Sequence, residues 1–424
     1  MSFICIDCIG DKYLRNIASK KVELGKCSYC GKNNPVIRLN NLAIIVDSYI
    51  RKYHEEAETE EVFDDSTGSY VPVSSGISLE EILNFECEIK EEPAEDLSKT
   101  LEEMYTYKDD KGKDFYNFYS YYPKDFSSEE YSKKWNDYCR KIKHESRFFN
   151  ESAKELLKRI LVGKKKEELS ILEIGPTTGI ITIYRARVVY SAKSAREIQK
   201  NPKELLGSPT PNKAKANRMN PEGIRVFYGA MSEKTTIAEV RPTVGSLAVV
   251  GKFEVIRKLK LIDLSKVGYE TLHIFHPNYE EEAQRKKFLR KFQSLISRPI
   301  NPADEPLEYI PTQAISEYVY NTLKLDGILY GSTQLQAVPP YDDYDDYLFF
   351  TPSNVEELKD YNIVLFGGAA LIEGVDYKDK IENRQSPSLT IDSKNVRIFR
   401  IEKVDYATKK MKIKIKKKIK YKNR

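Results

Sequence analysis

From Leu169 onward the chain is cut into short apolar runs separated by Gly, Pro and Asn, and this cadence confines the second half to many short strands with a few intervening helices. Leu169–Ile174, Ile180–Tyr184, Val226–Ala230, Leu325–Tyr330 and Asn362–Phe366 are each five or six residues long, right for strands and short for helices. The first half reads differently. Leu39, Leu42, Ile45 and Ile50 recur at helical spacing within Val36–Glu61, and Ser78 followed by Glu80 and Glu81 has the form of an N-cap with acids in the first turn. Leu97–Met104 and Ser127–Leu161 add further helices, while Phe63–Ser78, with its Gly, Ser and Pro, reads as a loop. The predicted fold class is α+β. A chain of 424 residues exceeds the usual single domain. We divide it into a zinc-knuckle plus mainly helical N-terminal domain at 1–170, a β-rich α+β domain at 171–375 and a basic, β-like extension at 376–424, with the first boundary near 165–178.

Four of the six cysteines form Cys5-x2-Cys8 and Cys27-x2-Cys30, with 18 residues between the pairs and glycines at 25 and 31. Each knuckle offers two thiolates to one side of a tetrahedral ion, so Cys5, Cys8, Cys27 and Cys30 are predicted to hold a structural zinc. All four positions are cysteine, which leaves no open coordination for catalysis. Cys87 and Cys139 read as small buried side chains. His273 and His276 have metal-like spacing but no accompanying second ligand pair in the sequence, and are not assigned a metal.

No run of about 18 apolar residues exists for a membrane span, and the N-terminus lacks the basic and apolar segments of a secretory signal, so a cytoplasmic location is expected. The net charge of +5 hides an asymmetry: residues 55–104 carry 17 acids against two lysines, whereas 407–424 carry ten Lys/Arg and no acid. The basic tail reads as a solvated end, with nucleic-acid contact, membrane-surface contact and docking on the acidic segment as alternatives. Within it Met411–Lys416 alternates like an edge strand guarded by charge. Asp342, Asp343, Asp345 and Asp346 read as an acidic surface loop. The aromatics at 105–138, including Tyr116, Phe118, Tyr119, Tyr121, Tyr122 and Trp135, read as core and rim of a helical bundle more readily than as a base-stacking platform.

Candidate chemistry lies in the second half. Arg185 and Arg187, at the end of a strand-like run, carry planar forks suited to phosphate. Asn217–Gly223, which includes Arg218, is a turn-rich loop leading into Val226–Ala230, where Tyr228 is placed to stack or hydrogen-bond. Glu239 is expected on a short helix closed by Pro242. Leu307–Gln313 followed by Ile315–Leu323 reads as strand, turn and helix, and Leu325–Ser332 as an apolar strand ending in a small polar residue.

Six collinear segments resemble the RES domain, named for an Arg, a Glu and a Ser: Tyr184–Arg187, Asn220–Ala230, Thr236–Pro242, Tyr309–Val319, Asp326–Ser332 and Asn362–Phe366. The resemblance spans roughly 180–370, and the first half resembles the zinc-containing, helical HEPN/RES N-terminal extension. An R-x4-6-H ribonuclease motif is not met there, because Arg140 and His144 have three residues between them. The resemblance implies a fold similar to mono-ADP-ribosyltransferases, acting in toxin–antitoxin or phage-defence settings on NAD. Residue by residue it implies Arg185, with Arg187 as the alternative register, Glu239 and Ser332 as catalytic groups, and Tyr228, Arg187, Arg218, Tyr330 and Gln313 as substrate contacts. NAD would enter as a substrate, since no Gly-rich dinucleotide fingerprint follows a strand. The readings are NAD hydrolysis or phosphorolysis, ADP-ribosyl transfer to a protein or nucleic acid, and a zinc-bearing binding module with an inactive RES domain. An antitoxin or other restraining partner is expected for an NAD consumer.

Overall fold

The computed structural model describes residues 2–405 apart from 58, 65–67, 75, 106–114, 118–119, 164–168, 269–271, 298–299, 301–302, 333, 336–356 and 378–385. The acidic run Asp342–Asp346, the alternation at Met411–Lys416 and the rings of Phe118 and Tyr119 lie outside the described residues. The chain forms two compact units, Met1–Leu169 with Lys266–Phe292, and Ser170–Ser265 with Gln293–Arg424. No helix among the described residues is long and apolar enough to cross a membrane.

The first unit opens with a three-stranded sheet of order β1-β3-β2, built from β1 (Phe3–Cys5), β2 (Glu23–Lys26) and β3 (Asn33–Arg38), with α1 (Lys12–Ala18) between β1 and β2. α2 (Leu39–Tyr53) follows, and its helical period holds: Leu39, Leu42, Ile45 and Ile50 are all buried. The helix stops well before Glu61, and the chain turns extended in β4 (His54–Glu56). The stretch read as a loop at 63–78 instead supplies most of an antiparallel hairpin of β5 (Thr59–Asp64) and β6 (Ser69–Ser74), with Gly68 at φ 64 in its turn. Ser78 caps α3 (Leu79–Glu81) in a capping box with Glu81. α4 (Glu91–Met104), β7 (Tyr121–Pro123), α5 (Glu129–His144) and α6 (Glu151–Leu161) complete this run. Tyr116, Tyr121 and Trp135 are buried, consistent with a packing role for the aromatic zone. Cys87 is buried, whereas Cys139 is half-exposed.

The second unit is a nine-stranded sheet. Its elements in chain order are β8 (Ile171–Ile174), β9 (Thr182–Val189), α7 (Ala192–Lys200), α8 (Pro202–Leu206), β10 (Val226–Ala230), α9 (Glu233–Glu239), β11 (Leu247–Val255) and β12 (Leu259–Asp263). After α10 (Tyr279–Ser297), most of which belongs to the first unit, come α11 (Glu305–Glu308), α12 (Ile310–Asn321), β13 (Gly327–Gly331), β14 (Tyr361–Phe366), β15 (Leu389–Thr390) and β16 (Val396–Arg400). The strand and turn expected in Leu307–Gln313 are replaced by helix: those residues lie in or between α11 and α12, each of which carries a proline in its first turn, where no helical N–H is lost.

Strand order is β15-β11-β9-β10-β14-β13-β12-β8, with β16 also on β11. β9 runs antiparallel to β11 from 182 to 189, and β10 pairs along its whole length with β14, yet β9 and β10 share the single registered pair Tyr184–Ala230. Two well-bonded half-sheets therefore meet at a narrow seam. Ile183, Phe227, Val249, Phe253, Leu329, Ile363 and Leu365 are buried on the core face. Gly327 permits a close approach of strands, since a Cβ there would stand 2.2 Å from the Val364 carbonyl oxygen and 2.8 Å from Leu261 Cδ2. Gly327→Ala is expected to destabilise this unit by about 2–3 kcal/mol. A thermal or urea melt matching wild type would contradict that packing.

Candidate active site

Ser232 caps α9 by accepting the Thr235 amide at 3.1 Å, and the helix ends at Glu239 as the sequence implied. Arg241, two residues on, takes a left-handed φ of 45°, a conformation disfavoured for a residue with a Cβ, so the chain leaves the helix through a strained turn. At the end of α9 the helix dipole does nothing for a carboxylate, and side chains do that work instead. Ser332 Oγ donates to Glu239 Oε1 at 2.6 Å and Asn362 Nδ2 donates to the same oxygen at 2.8 Å. Ser332 and Asn362 are buried, and Glu239 is half-buried. Both donors converge on one oxygen, and among the described residues none donates to Oε2.

The sheet register explains the convergence. Ala230 stands opposite both Tyr184 and Asn362, and Asn362 stands opposite Tyr330, so these four form a row across β9, β10, β14 and β13. Ser332 follows Tyr330 by two residues and leaves the chain on the same side. Tyr330 remains a neutral phenol, its pKa pushed well up by burial and then by the negative charge of Glu239, with Arg218 and its positive charge working the other way. Asn362 escaped the sequence reading because it opens a run that looks wholly apolar, and only the pairing of β13 with β14 exposes its role.

A loop braces this group. Tyr228 Oη donates to Asn220 Oδ1 at 2.8 Å and accepts the Met219 amide at 2.9 Å, so its hydroxyl is committed to the 217–220 turn. Gln313 Nε2 donates to the carbonyls of Asn217 at 2.9 Å and Asn220 at 3.1 Å. Arg218 donates through Nη1 to the Ile296 carbonyl at 2.6 Å and lies 5.5 Å over the Tyr309 ring. Tyr309 itself is raised to about 12, by burial first and then by Glu305.

Arg185 is not hydrogen-bonded to Glu239 or Ser332. Alternation along β9 sends Arg185 and Tyr184 to opposite faces, and the Arg185 guanidinium lies 5.0 Å over the Phe227 ring. Its Nη1 is buried with no hydrogen-bond partner. Burial, and then Arg187, lowers its pKa to about 10, while the phenols of Tyr228 and Tyr377 act in the opposite direction. It is a charged group at neutral pH with an unused donor. Arg187, further along β9, is exposed. The structure thus gathers Glu239, Ser332, Asn362 and Tyr330 tightly, sets Arg218, Gln313 and Tyr228 in or against the adjoining loop, and places Arg185 at the seam, sensed by Tyr228.

In the first unit the four cysteine sulfurs lie within 4.8 Å of one another and form a set able to hold a metal ion. Cys5 Sγ is 3.5 Å from both Cys8 and Cys30 Sγ, and Cys8 Sγ is 4.0 Å from Cys27 Sγ, close to the separation of about 3.8 Å that four sulfurs take around a tetrahedral ion. Burial works to raise the Cys27 thiol, but backbone N–H bonds from Cys30, Tyr29 and Cys5 outweigh it and bring its pKa down to about 6. Arg140 and His144 form no site: Arg140 is exposed and paired with Asp137 and Glu145.

Residues 188–368 match the model of the RES domain, and residues 20–156 match that of the HEPN/RES N-terminal domain 1. The chain carries a RES domain behind a HEPN/RES N-terminal domain. The RES match includes Arg218, Tyr228, Glu239, Gln313, Tyr330, Ser332 and Asn362, and starts just after Arg185 and Arg187. The HEPN/RES match includes Cys27 and Cys30 and starts after Cys5 and Cys8. No match was found among curated proteins or solved structures. In this RES domain Tyr228→Phe removes both bonds to the 217–220 turn, and faster hydrogen exchange at the Met219 amide is the expected outcome. Unchanged exchange there would show that the hydroxyl does not hold the loop.

Proposed function

We propose that the RES domain cleaves the nicotinamide–ribose bond of NAD, with Glu239 as the group that stabilises the reacting ribose. The observation that carries this reading is the pair of donors, Ser332 and Asn362, on Glu239 Oε1. Breaking a glycosidic bond to a cationic leaving group develops an oxocarbenium-like ribose, and a fixed carboxylate beside it offers a charge interaction that is strongest in the transition state. Two hydrogen bonds on Oε1 hold the carboxylate still and keep Oε2 for the ribose. Tyr330, neutral and adjacent, supplies a ring wall and a hydroxyl without adding charge. Arg218, stacked on Tyr309, is the first cation for the pyrophosphate, and Arg185, with its unused buried donor, is the second, reaching it from the opposite sheet face through the β9–β10 seam, because a guanidinium matches two phosphate oxygens and remains charged. Gln313 and Tyr228 act one step back by fixing the turn that carries Arg218.

The test is nicotinamide release from NAD by the purified full chain, with no protein or nucleic-acid acceptor added. Glu239→Gln is expected to lower kcat at least about 100-fold, the scale on which removal of one transition-state electrostatic group acts. Arg218→Ala and Arg185→Ala are expected to raise KM more than they lower kcat, as losses of ground-state binding do. Release only in the presence of an acceptor that becomes covalently labelled would assign ADP-ribosyl transfer instead. No release under either condition, with wild type and Glu239→Gln alike, would mark the domain as an inactive binding module.

We further propose that Cys5, Cys8, Cys27 and Cys30 bind one structural Zn2+. The donor set is soft, nearly tetrahedral and closed, which suits an ion that holds the sheet of β1, β2 and β3 together and performs no chemistry. Cys27→Ser is expected to lower bound zinc by one equivalent per chain and to loosen residues 1–38 to proteolysis. Equal zinc content in variant and wild type would contradict the assignment.

A further inference from the structure

A second group of potential ligands lies in the first unit and is drawn from three distant stretches: Asp11, Glu88 and His273. Asp11 caps α1 and is fully buried. One carboxylate oxygen, Oδ1, accepts the Leu14 amide at 2.6 Å, as an N-cap should. The other, Oδ2, is buried and accepts no hydrogen bond. It is ion-paired with His273 Nδ1 at 2.5 Å, and Glu88 Oε1 lies 3.6 Å from the same nitrogen; Asp11, and then Glu88, hold the imidazole pKa above its ordinary value. All three ligand atoms fall within 4.8 Å of one another.

The backbone is shaped around this point. Glu88 adopts φ 50°, a left-handed conformation that costs free energy in a residue with a Cβ. Its carbonyl accepts the Gly10 amide at 2.8 Å, and a Cβ on Gly10 would meet Glu88 at 2.7 Å, so the stretches bearing Asp11 and Glu88 are pressed together at the cluster. Tyr13 flanks the imidazole, with ring centroids 5.8 Å apart, and Lys12 Nζ lies over the Tyr13 ring. The charge balance within the trio is incomplete. Two carboxylates face one imidazole, so even a protonated histidine leaves the trio with a net negative charge, carried in part by the exposed Glu88 and offset in part by Lys12.

We propose that Asp11, Glu88 and His273 form a second metal site, for a divalent cation of the Mn2+ type, separate from the four-cysteine set. One imidazole nitrogen and two carboxylate oxygens suit such an ion, whereas the thiolate set suits a softer one. A divalent cation neutralises both carboxylates, satisfies Asp11 Oδ2, and widens the Oδ2–Nδ1 gap from 2.5 Å to about 3 Å, as bonds of about 2.1 Å require. The remaining coordination positions fall to water on the exposed Glu88 side. The site would cross-link the α1 N-terminus, the turn before α4 and the 266–292 segment.

The test is Mn2+ binding to the full chain, followed by the loss of the free-ion electron paramagnetic resonance signal. Mn2+ is the chosen probe because the four cysteines disfavour it. One Mn2+ per wild-type chain is expected at micromolar concentrations, with affinity at least tenfold weaker in His273→Ala and in Glu88→Gln. Glu88 is exposed, so Glu88→Gln should fold even where His273→Ala does not, and circular dichroism checks both. Wild type that leaves the Mn2+ signal unchanged would overturn the proposal, and the trio would then be a plain ion pair. Stoichiometric binding that neither variant weakens would overturn it as well. Nicotinamide release plays no part in the readout, so the result stands apart from the assignment of the RES domain.

Discussion

The second unit depends on two hydrogen bonds that reach one oxygen of Glu239 from different strands. Ser332 stands just past the end of β13, Asn362 at the second position of β14, and Glu239 on the last turn of α9. Each alone is ordinary. A serine at a strand end, an asparagine in a sheet and a glutamate at a helix end are all common, and the last is mildly unfavourable because the helix C-terminus repels negative charge. Together they make a carboxylate whose position is fixed and whose second oxygen has no donor among the described residues. The surrounding elements serve this point: the register of β13 on β14 aligns Asn362 with Tyr330, and the Ser232 cap sets where α9 begins and hence where Glu239 falls.

The sheet around the site is two half-sheets that share one registered pair at the β9–β10 seam. A sheet bonded along its full width leaves no space between its central strands. Where pairing shrinks to one residue pair, side chains can enter, and there the Arg185 guanidinium lies over Phe227 with a buried nitrogen unused. The cost of burying that cation shows as its lowered pKa, and an anionic ligand would relieve it. The 217–220 turn, held by Tyr228 and Gln313, presents Arg218 against Tyr309. The second unit therefore has a rigid anion and two kinds of cation: one on a braced loop, one sunk in a seam.

Local signals made much of this legible. Pro242 closes a short helix that carries Glu239; Leu325–Ser332 is an apolar strand ending in a small polar residue; the paired C-x2-C motifs reveal a closed thiol set. Long-range facts were hidden. Asn362 looks like the first residue of a buried strand until β14 is laid beside β13. Arg185 reads as a phosphate clamp at a strand edge, but alternation and the seam decide which face it takes, and those depend on partners far along the chain. Turn-forming residues that also occur in loops hide the hairpin of β5 and β6, and Leu307–Gln313 reads as strand and turn although apolar residues beside a proline fit a helix start equally well. His273 has no second ligand pair near it in the sequence. Folding brings Asp11 and Glu88 to it instead.

If Glu239 acts through the geometry that Ser332 imposes, the two residues cannot contribute independently, and a double-mutant cycle on nicotinamide release reads that coupling directly. The account predicts that Ser332→Ala slows wild type markedly but adds little further loss once Glu239 is already glutamine. Losses that simply multiply in the double variant would contradict it, because they would show the serine working on the reaction by a route that does not pass through the carboxylate.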